Sequence, residues 1–313
     1  MRALIFPGQG SQTVGMGQAL AAAFPVAQAV FDEVDSALSQ NLSALMWEGP
    51  SDELNLTANA QPALMATSLA ALRVLESELG LDLARDVALV AGHSLGEYSA
   101  LAAAGALSIS DSARLLRLRG ESMQKAVPVG TGAMAAILKL EYDAVRAIAE
   151  EASAGEVCDI ANDNGAGQVV VSGHKAAVER AAALAQAKGG RGMMLTVSAP
   201  FHCRLMAPAA EAMQAALSET TISTPVVPVV ANVEAAAISA PEAIRDALVR
   251  QVTGTVRWRE SVAAMAADGV TDFVEVGAGK VLTGLVKRIA AGARAAPFGQ
   301  PSDLDAVRPL LGA

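Results

Sequence analysis

Short apolar blocks punctuate this chain, each closed by proline or glycine and separated from the next by longer stretches of helical character. Arg2 to Phe6, Asp86 to Ala91 and Asp272 to Val276 are compact, rich in Val, Leu or Phe, and run into Pro7, Gly92 and Gly277. Blocks of that length and composition read as buried strands. Between them lie helix-forming segments. Residues 19–45 are helical with a break at Asn41 and Ser43, Asp52 to Leu56 begins a short helix, and Pro62 opens a long one through Leu79 as an N1 proline. A helix follows Ser94, and Ser110-Asp111 caps another that ends near Gly120 or Met123. Strands alternating with helices in this way predict an α/β fold around a mostly parallel sheet.

The rhythm changes at Val127 to Gly132. Ala133 to Leu140 reads as a strand, Asp143 to Ala154 as a helix, and Val157 to Asn162 with Gln168 to Ser172 as two strands joined at Asp163-Asn164-Gly165. Ala176 to Lys188 is a second helix and Gly192 to Val197 a last strand. That β-α-β-β-α-β order is ferredoxin-like. It predicts a small subdomain, residues 129–197, inserted into a large one made of 1–128 and 198–313. In the returning segment, helices are expected over 208–218, 243–251 and 261–268. Val226 to Asn232 reads as an edge or starting strand, and Gly277-Ala278-Gly279-Lys280 opens a helix to Ile289. The remaining C-terminal residues are expected to be loop and a short helical tail.

Composition narrows the function classes. With 52% hydrophobic and 18% charged residues over 313 positions, the chain is expected to be ordered and to bury a large core. A net charge of -9 speaks against a nucleic-acid partner, because no basic field is there to displace counterions. An acidic partner would need a local basic patch, for which Lys280, Lys287, Arg288 and Arg294, or Lys188 with Arg191, are candidates. No membrane span is expected: the longest uncharged stretch, Leu54 to Leu72, is broken by Asn59, Gln61 and Pro62. The N-terminus is too short of charge and apolar length for a signal peptide, and Cys158 and Cys203 form neither a disulfide framework nor a metal pattern. A cytoplasmic location is the expectation.

The chemistry centres on Gly92-His93-Ser94-Leu95-Gly96, a G-x-S-x-G placed where a strand turns sharply into a helix. In that context Ser94 is the candidate nucleophile, presented at a helix N-terminus that favours developing negative charge. Pro7-Gly8-Gln9-Gly10-Ser11-Gln12 is a second glycine-rich loop at a strand end. It lacks the spacing of a dinucleotide site, which excludes a nicotinamide cofactor, and its backbone N–H groups can complete an oxyanion hole. Three histidines are available as base. His93 adjoins the serine at a turn where neighbours point apart, and His174 belongs to the insertion, so His202 is selected by elimination. No aspartate stands out to orient it, so a dyad held by a backbone or side-chain amide carbonyl is expected. A serine esterase or thioesterase would use the same elbow.

Five ordered motifs carry a family resemblance. FPGQGSQ at Phe6 to Gln12, AGHSLGEYSAL at Ala91 to Leu101, RG..MQ at Arg119 to Gln124, PFH at Pro200 to His202 and VGAGKVLTGL at Val276 to Leu285 closely resemble the malonyl-CoA:acyl carrier protein transacylases of dissociated fatty acid synthesis. More distantly, they resemble the acyltransferase domains of polyketide synthases. The resemblance implies an α/β-hydrolase-like large subdomain with a ferredoxin-like small one, and ping-pong transfer of malonyl from malonyl-CoA to acyl carrier protein without a cofactor or metal. It further implies Ser94 as nucleophile, His202 as base, Gln251 as the residue whose carbonyl orients it, and the N–H groups of Gln9 and Leu95 as the oxyanion hole. Arg119 is implied as the clamp for the malonyl carboxylate, Phe201 and Met123 as substrate-contacting residues, and a monomer as the assembly. Ala278 and Thr255 depart from the prolines common at those positions, and Phe201 replaces a serine common in stand-alone bacterial members.

Overall fold

The computed structural model describes residues 1–312. Its strands in chain order are β1 (Arg2–Phe6), β2 (Leu89–Gly92), β3 (Gly132–Leu138), β4 (Cys158–Asp163), β5 (Gln168–His174), β6 (Arg191–Met194), β7 (Val229–Ala231), β8 (Ala236–Ile238), β9 (Asp272–Val276) and β10 (Arg294–Phe298). They form a six-stranded sheet ordered β10-β9-β1-β2-β7-β8 and a four-stranded sheet ordered β4-β5-β3-β6. In the large sheet every pairing is parallel except the closing β7–β8 hairpin. β1, β2 and β9 are buried almost throughout, as parallel strands covered on both faces must be. Phe6 pairs with Gly92 and Ile5 with Glu275, so the loop after β1, the serine turn after β2 and the glycine turn after β9 emerge side by side. Ligands of open α/β sheets bind at this carboxyl edge.

The helix Thr57–Leu79 runs through the main core and is buried along most of its length. Small residues let its neighbours come close. A Cβ on Gly120, in the helix Ile109–Lys125, would lie 2.6 Å from the Cα of Ala58, so only glycine permits this crossing. That contact brings Arg119 next to Gln61.

The small sheet is antiparallel throughout and carries the helices Tyr142–Ser153 and Lys175–Ala187 against one face, over Ile137, Val145, Ile148, Val171 and Val178. Its strand order is that of a ferredoxin-like unit. Backbone pairing bolts β4 to the large unit. Val256 N–H donates to Ala161 O at 2.9 Å and Asp163 N–H to Val256 O at 2.9 Å. Arg259 Nε donates to buried Asp163 at 2.8 Å, and His93 Nε2 lies 2.9 Å from Asn164 Oδ1. Main-chain hydrogen bonds and side-chain contacts thus together tie β4 to the large unit.

Several boundaries differ from expectation. The long helix starts at Thr57, five residues before Pro62, which is itself buried inside it. One missing N–H is outweighed there by the packing of the surrounding apolar face. The segment 19–45 divides at Phe24 into Gln18–Ala23 and Pro25–Leu38, with Pro25 in the first turn, before Leu42–Glu48 capped by Asn41. Ser108 caps the helix that Ser110 was expected to cap, its Oγ accepting from Asp111 N–H at 2.9 Å. Residues Leu83–Asp86 are a helical turn, so β2 begins only at Leu89. β7 is interior rather than an edge, because β8 pairs beyond it, and β10 forms where loop was expected. Both unforeseen strands are short and Ala-rich, and β10 tolerates Pro297 because it lies at the sheet edge. Among the described residues no helix is long and apolar enough to cross a membrane.

Trp258 is fully buried beneath the serine turn, its ring 5.6 Å from that of His93. Trp258→Ala is expected to cost about 3–5 kcal/mol, read as a lowered urea midpoint of unfolding.

Candidate active site

The nucleophile turn is shaped by two glycines. A Cβ on Gly92 would sit 1.8 Å from the Gly96 carbonyl oxygen, and one on Gly96 would sit 2.3 Å from the Phe6 carbonyl oxygen. Both separations are impossible for any other residue, so β2 and the helix Gly96–Ala103 can close on each other and on β1 only with glycine at both positions. Between them Ser94 takes a φ of 54°, a left-handed conformation that costs a side-chain-bearing residue on the order of 1 kcal/mol or more. Asn232, at the end of β7, holds the corner: its Oδ1 accepts from Ser94 N–H at 2.7 Å and its Nδ2 donates to Gly92 O at 2.7 Å.

His202 arrives from the segment following β6, also at positive φ (57°), and its Nε2 lies 2.7 Å from Ser94 Oγ. Its Nδ1 lies 2.9 Å from the Gln251 carbonyl oxygen. A carbonyl only accepts, so Nδ1 carries the proton and Nε2 is the acceptor for the serine hydroxyl. Burial, followed by the nearby Arg119 charge, pushes His202 down to about 3. It therefore remains a neutral base well into the acid range.

Arg119 is 1% exposed and points at the same atoms. Its Nη1 donates to Gln61 Oε1 at 2.8 Å, and its Nη2 to Gln251 Oε1 at 2.7 Å and to Ser94 Oγ at 3.3 Å. Its Nε has no partner among the described residues. No carboxylate touches this guanidinium, so a buried cation without an ion-pair partner lines the cavity. The Tyr98 ring, 5.8 Å from its Cζ, gives it a partial cation–π contact.

The cavity holds about 330 Å³ and is lined from the large unit by Gln9, Gln61, Ser94, Leu95, Arg119, Met123, Phe201 and His202. Met134, Asn162, Leu195 and Val197 close it from the other side. The backbone N–H groups of Gln9 and Leu95 have no hydrogen-bond partner among the described residues, as an oxyanion hole requires of its donors. The Gln9 side chain is held by Thr57 Oγ1, which donates to its Oε1 at 2.9 Å.

Every residue singled out from the sequence as a site candidate is thus brought to one cleft, Gln251 lying just behind its lining. His174 is not: it is used within the small unit, accepting Val157 N–H on Nδ1 at 2.9 Å. Sequence reasoning passed over Gln61, Glu97 and Asn232. Gln61 was read as an interruption of an apolar run, and Asn232 as the end of a strand. Glu97 was hidden inside the serine motif, although a lone acid in the buried helix Gly96–Ala103 is itself a signal. Among the described residues no group of three or more His, Cys, Asp or Glu side chains is placed to hold a metal ion.

A strained serine at a strand–helix corner, a neutral imidazole on its hydroxyl, free N–H donors and a buried cation define a serine-dependent acyl-transfer site. Comparison with known proteins agrees: residues 3–297 match the model of the acyl transferase domain family. The malonyl CoA-acyl carrier protein transacylase of Escherichia coli (strain K12) is 48% identical over 98% of this chain and 99% of its own. That of Bacillus subtilis (strain 168) is 46% identical over 92% of this chain and 90% of its own. The crystal structure of an acyl-carrier-protein-S-malonyltransferase from Bartonella henselae superposes with a TM-score of 0.97 at 52% identity, covering 100% of this chain and 99% of that one. A complex of a type II PKS acyl-carrier protein with its malonyl-transacylase matches with a TM-score of 0.95 at 43% identity, over 100% and 99% of the two chains. The chain belongs to the acyl transferase family, among its malonyl CoA-acyl carrier protein transacylases.

Removing the imidazole should separate the two histidines. His202→Ala is expected to slow acylation of Ser94 by roughly a thousandfold, whereas His174→Ala leaves it within about twofold; stopped-flow acylation monitored by intact mass checks both.

Proposed function

We infer that this chain transfers a malonyl group from malonyl-CoA to the phosphopantetheine thiol of acyl carrier protein, in two steps through an ester on Ser94. The observation that carries the reading is the buried Arg119 guanidinium 3.3 Å from the nucleophilic hydroxyl. In malonyl, the carboxylate is a single methylene from the carbonyl that the serine attacks. A cation beside the nucleophile suits such an acyl group, and a planar guanidinium with an unused Nε–H suits a carboxylate.

In the first half-reaction Ser94 Oγ passes its proton to His202 Nε2 and bonds to the thioester carbon. The oxyanion that forms takes the N–H groups of Gln9 and Leu95, and Gln251 O holds the imidazolium through Nδ1. The C–S bond then breaks and the proton on Nε2 goes to the CoA sulfur. In the second half-reaction the carrier thiol gives its proton to Nε2 and its sulfur attacks the ester carbon. The tetrahedral adduct collapses, and Ser94 Oγ leaves with that proton. Every proton and electron pair is handled by the chain's own groups, so the reading needs neither cofactor nor metal. Phe201 and Met123 supply the apolar floor on which the acyl group rests.

The reading includes a small subdomain at 129–197 that closes the cleft over a large one at 1–128 and 198–313. A place in dissociated fatty acid synthesis, a monomeric chain and a cytoplasmic location belong to the same reading.

The test is acyl selectivity. Arg119→Ala should reduce malonyl transfer to the carrier by roughly a hundredfold or more, while acetyl transfer changes far less, because acetyl has no carboxylate to lose. Equal losses for both acyl groups would refute the clamp. Free malonate as the main product of the wild-type protein would point to hydrolysis instead.

A further inference from the structure

One buried carboxyl lies inside the catalytic network and takes no part in the steps above. Glu97, one helical turn past the nucleophile, is 1% exposed. Its Oε2 accepts from Gln251 Nε2 at 2.8 Å and from Asn232 N–H at 3.0 Å. Those two residues control the site. Gln251 holds His202 with its main-chain carbonyl and Arg119 with its amide oxygen, and its Nε2 also donates to Ser94 O at 3.0 Å. Asn232 fixes the Ser94 N–H.

We propose that Glu97 is a positioning residue for acyl transfer: its carboxylate orients the Gln251 side-chain amide and supplies, one residue removed from the imidazole, the negative charge that the serine–histidine pair otherwise lacks. The proposal rests on the Ser94–His202 assignment above.

Hydrogen bonding alone does not call for an acid at this position. A glutamine carbonyl accepts the same two bonds without the cost of burying charge. What the carboxylate adds is its charge, and the site has a use for it. When His202 takes the serine proton, a second cation appears beside Arg119 in a buried space, and like charges at close range oppose proton transfer. The other buried acids are committed elsewhere. Glu275 accepts the Leu282 and Thr283 N–H groups at a helix start, while Asp163 pairs with Arg259 and Asp272 with Arg294. Glu97 touches no cation, and its charge is left to act through Gln251.

Its ionisation is accessible to experiment. Burial pushes the Glu97 carboxyl up to about 7, against which the two hydrogen bonds and the Arg119 charge from helix Ile109–Lys125 pull it down. The other ionisable neighbours stay neutral around that pH: Tyr98 on the same helix is pushed up to about 12, His202 across Gln251 is held down to about 3, and burial also lowers His93. Below pH 7 Glu97 therefore gains a proton while the base remains free. The rate of acylation should fall first as pH drops through about 7, well above the lower pH at which His202 itself titrates.

The test is Glu97→Gln in the full chain, with Ser94 acylation followed by intact mass. A phosphate-free malonyl thioester, the N-acetylcysteamine, serves as donor so that no substrate phosphate titrates in the window. At pH 8 the variant should lose about tenfold in kcat with KM not raised, since Arg119 is freed from an opposing charge. The limb near 7 in kcat/KM should be present in the wild type and absent in the variant. Wild-type kcat in the variant, or a limb that survives the substitution, overturns the proposal. If the variant does not fold, the wild-type profile decides, and a profile flat through 7 is equally fatal. Failure of wild-type Ser94 to acquire the malonyl mass would instead strike the Ser94 assignment itself.

Discussion

Contact between backbones at one corner governs this molecule. β1, β2 and the helix Gly96–Ala103 meet so closely that the Phe6 and Gly96 carbonyls occupy the space where side chains on Gly96 and Gly92 would begin. That closeness forces Ser94 into the left-handed region and lifts its hydroxyl clear of the sheet. It also aligns the loop carrying Gln9 with the first turn of the serine helix, because Phe6 and Gly92 are register partners. Strain at Ser94 persists only because its surroundings over-determine it. Asn232 ties both its N–H and the Gly92 carbonyl to β7, and a relaxed corner would leave those buried groups unpaired.

Electrostatics sets the second constraint. A guanidinium 1% exposed, with no carboxylate in contact, would be costly in an apolar core. Here it is held by neutral acceptors, Gln61 and Gln251, which satisfy donors without cancelling charge. An unneutralised cation suits a site that must attract an anionic acyl group and release it again. Burial first, and the same cation second, depress His202, which keeps the base unprotonated and ready. Binding and catalysis therefore share one charge, and Gln251 is where they join: its amide faces Arg119 and its carbonyl faces the imidazole.

Legibility in the sequence followed the range of the interactions. Strands β1, β2 and β9 and the inserted β-α-β-β-α-β unit were readable because their signals are local: apolar runs, glycine punctuation and a hairpin turn. Ser94 was readable because the two glycines that flank it form a local motif, although only Gly92 is demanded by a neighbour a few residues on and Gly96 is demanded by Phe6 from β1. β8 and β10 were not, since three or five Ala-rich residues carry little intrinsic preference and pair only because a neighbouring strand presents an open edge. Residue roles divide the same way. Selecting His202 needed only elimination among three histidines, but Arg119 and Gln251 came through family resemblance. Their meeting with Ser94, across 25 and 157 positions, depends on helix packing that no local pattern encodes. Asn232 went unnoticed for that reason, being informative only once Ser94 and Glu97 are beside it, whereas Glu97 carried a local signal of its own as the one acid in a buried helix.

The absence of an acid next to His202 at first marks a departure from the usual serine triad. A carbonyl can orient an imidazole as well as a carboxylate can, since either accepts the Nδ1 proton. It carries no net charge, however, and so answers the imidazolium only as a dipole. In a pocket that already contains Arg119, a carboxylate directly on Nδ1 would also lie beside the guanidinium and weaken its pull on substrate. Setting the acid back behind Gln251 separates the two demands. The carbonyl fixes the tautomer at contact distance, the amide reports the acid's position to the guanidinium, and the negative charge remains near enough to be felt by the proton in transit. Glu97, three positions after Ser94 and in the first turn of a helix whose every residue is buried, lies against Asn232, just past strand β7, and Gln251. An acid exposed to water there would be screened into irrelevance, and it is the completeness of the burial that lets a charge act through one intervening side chain.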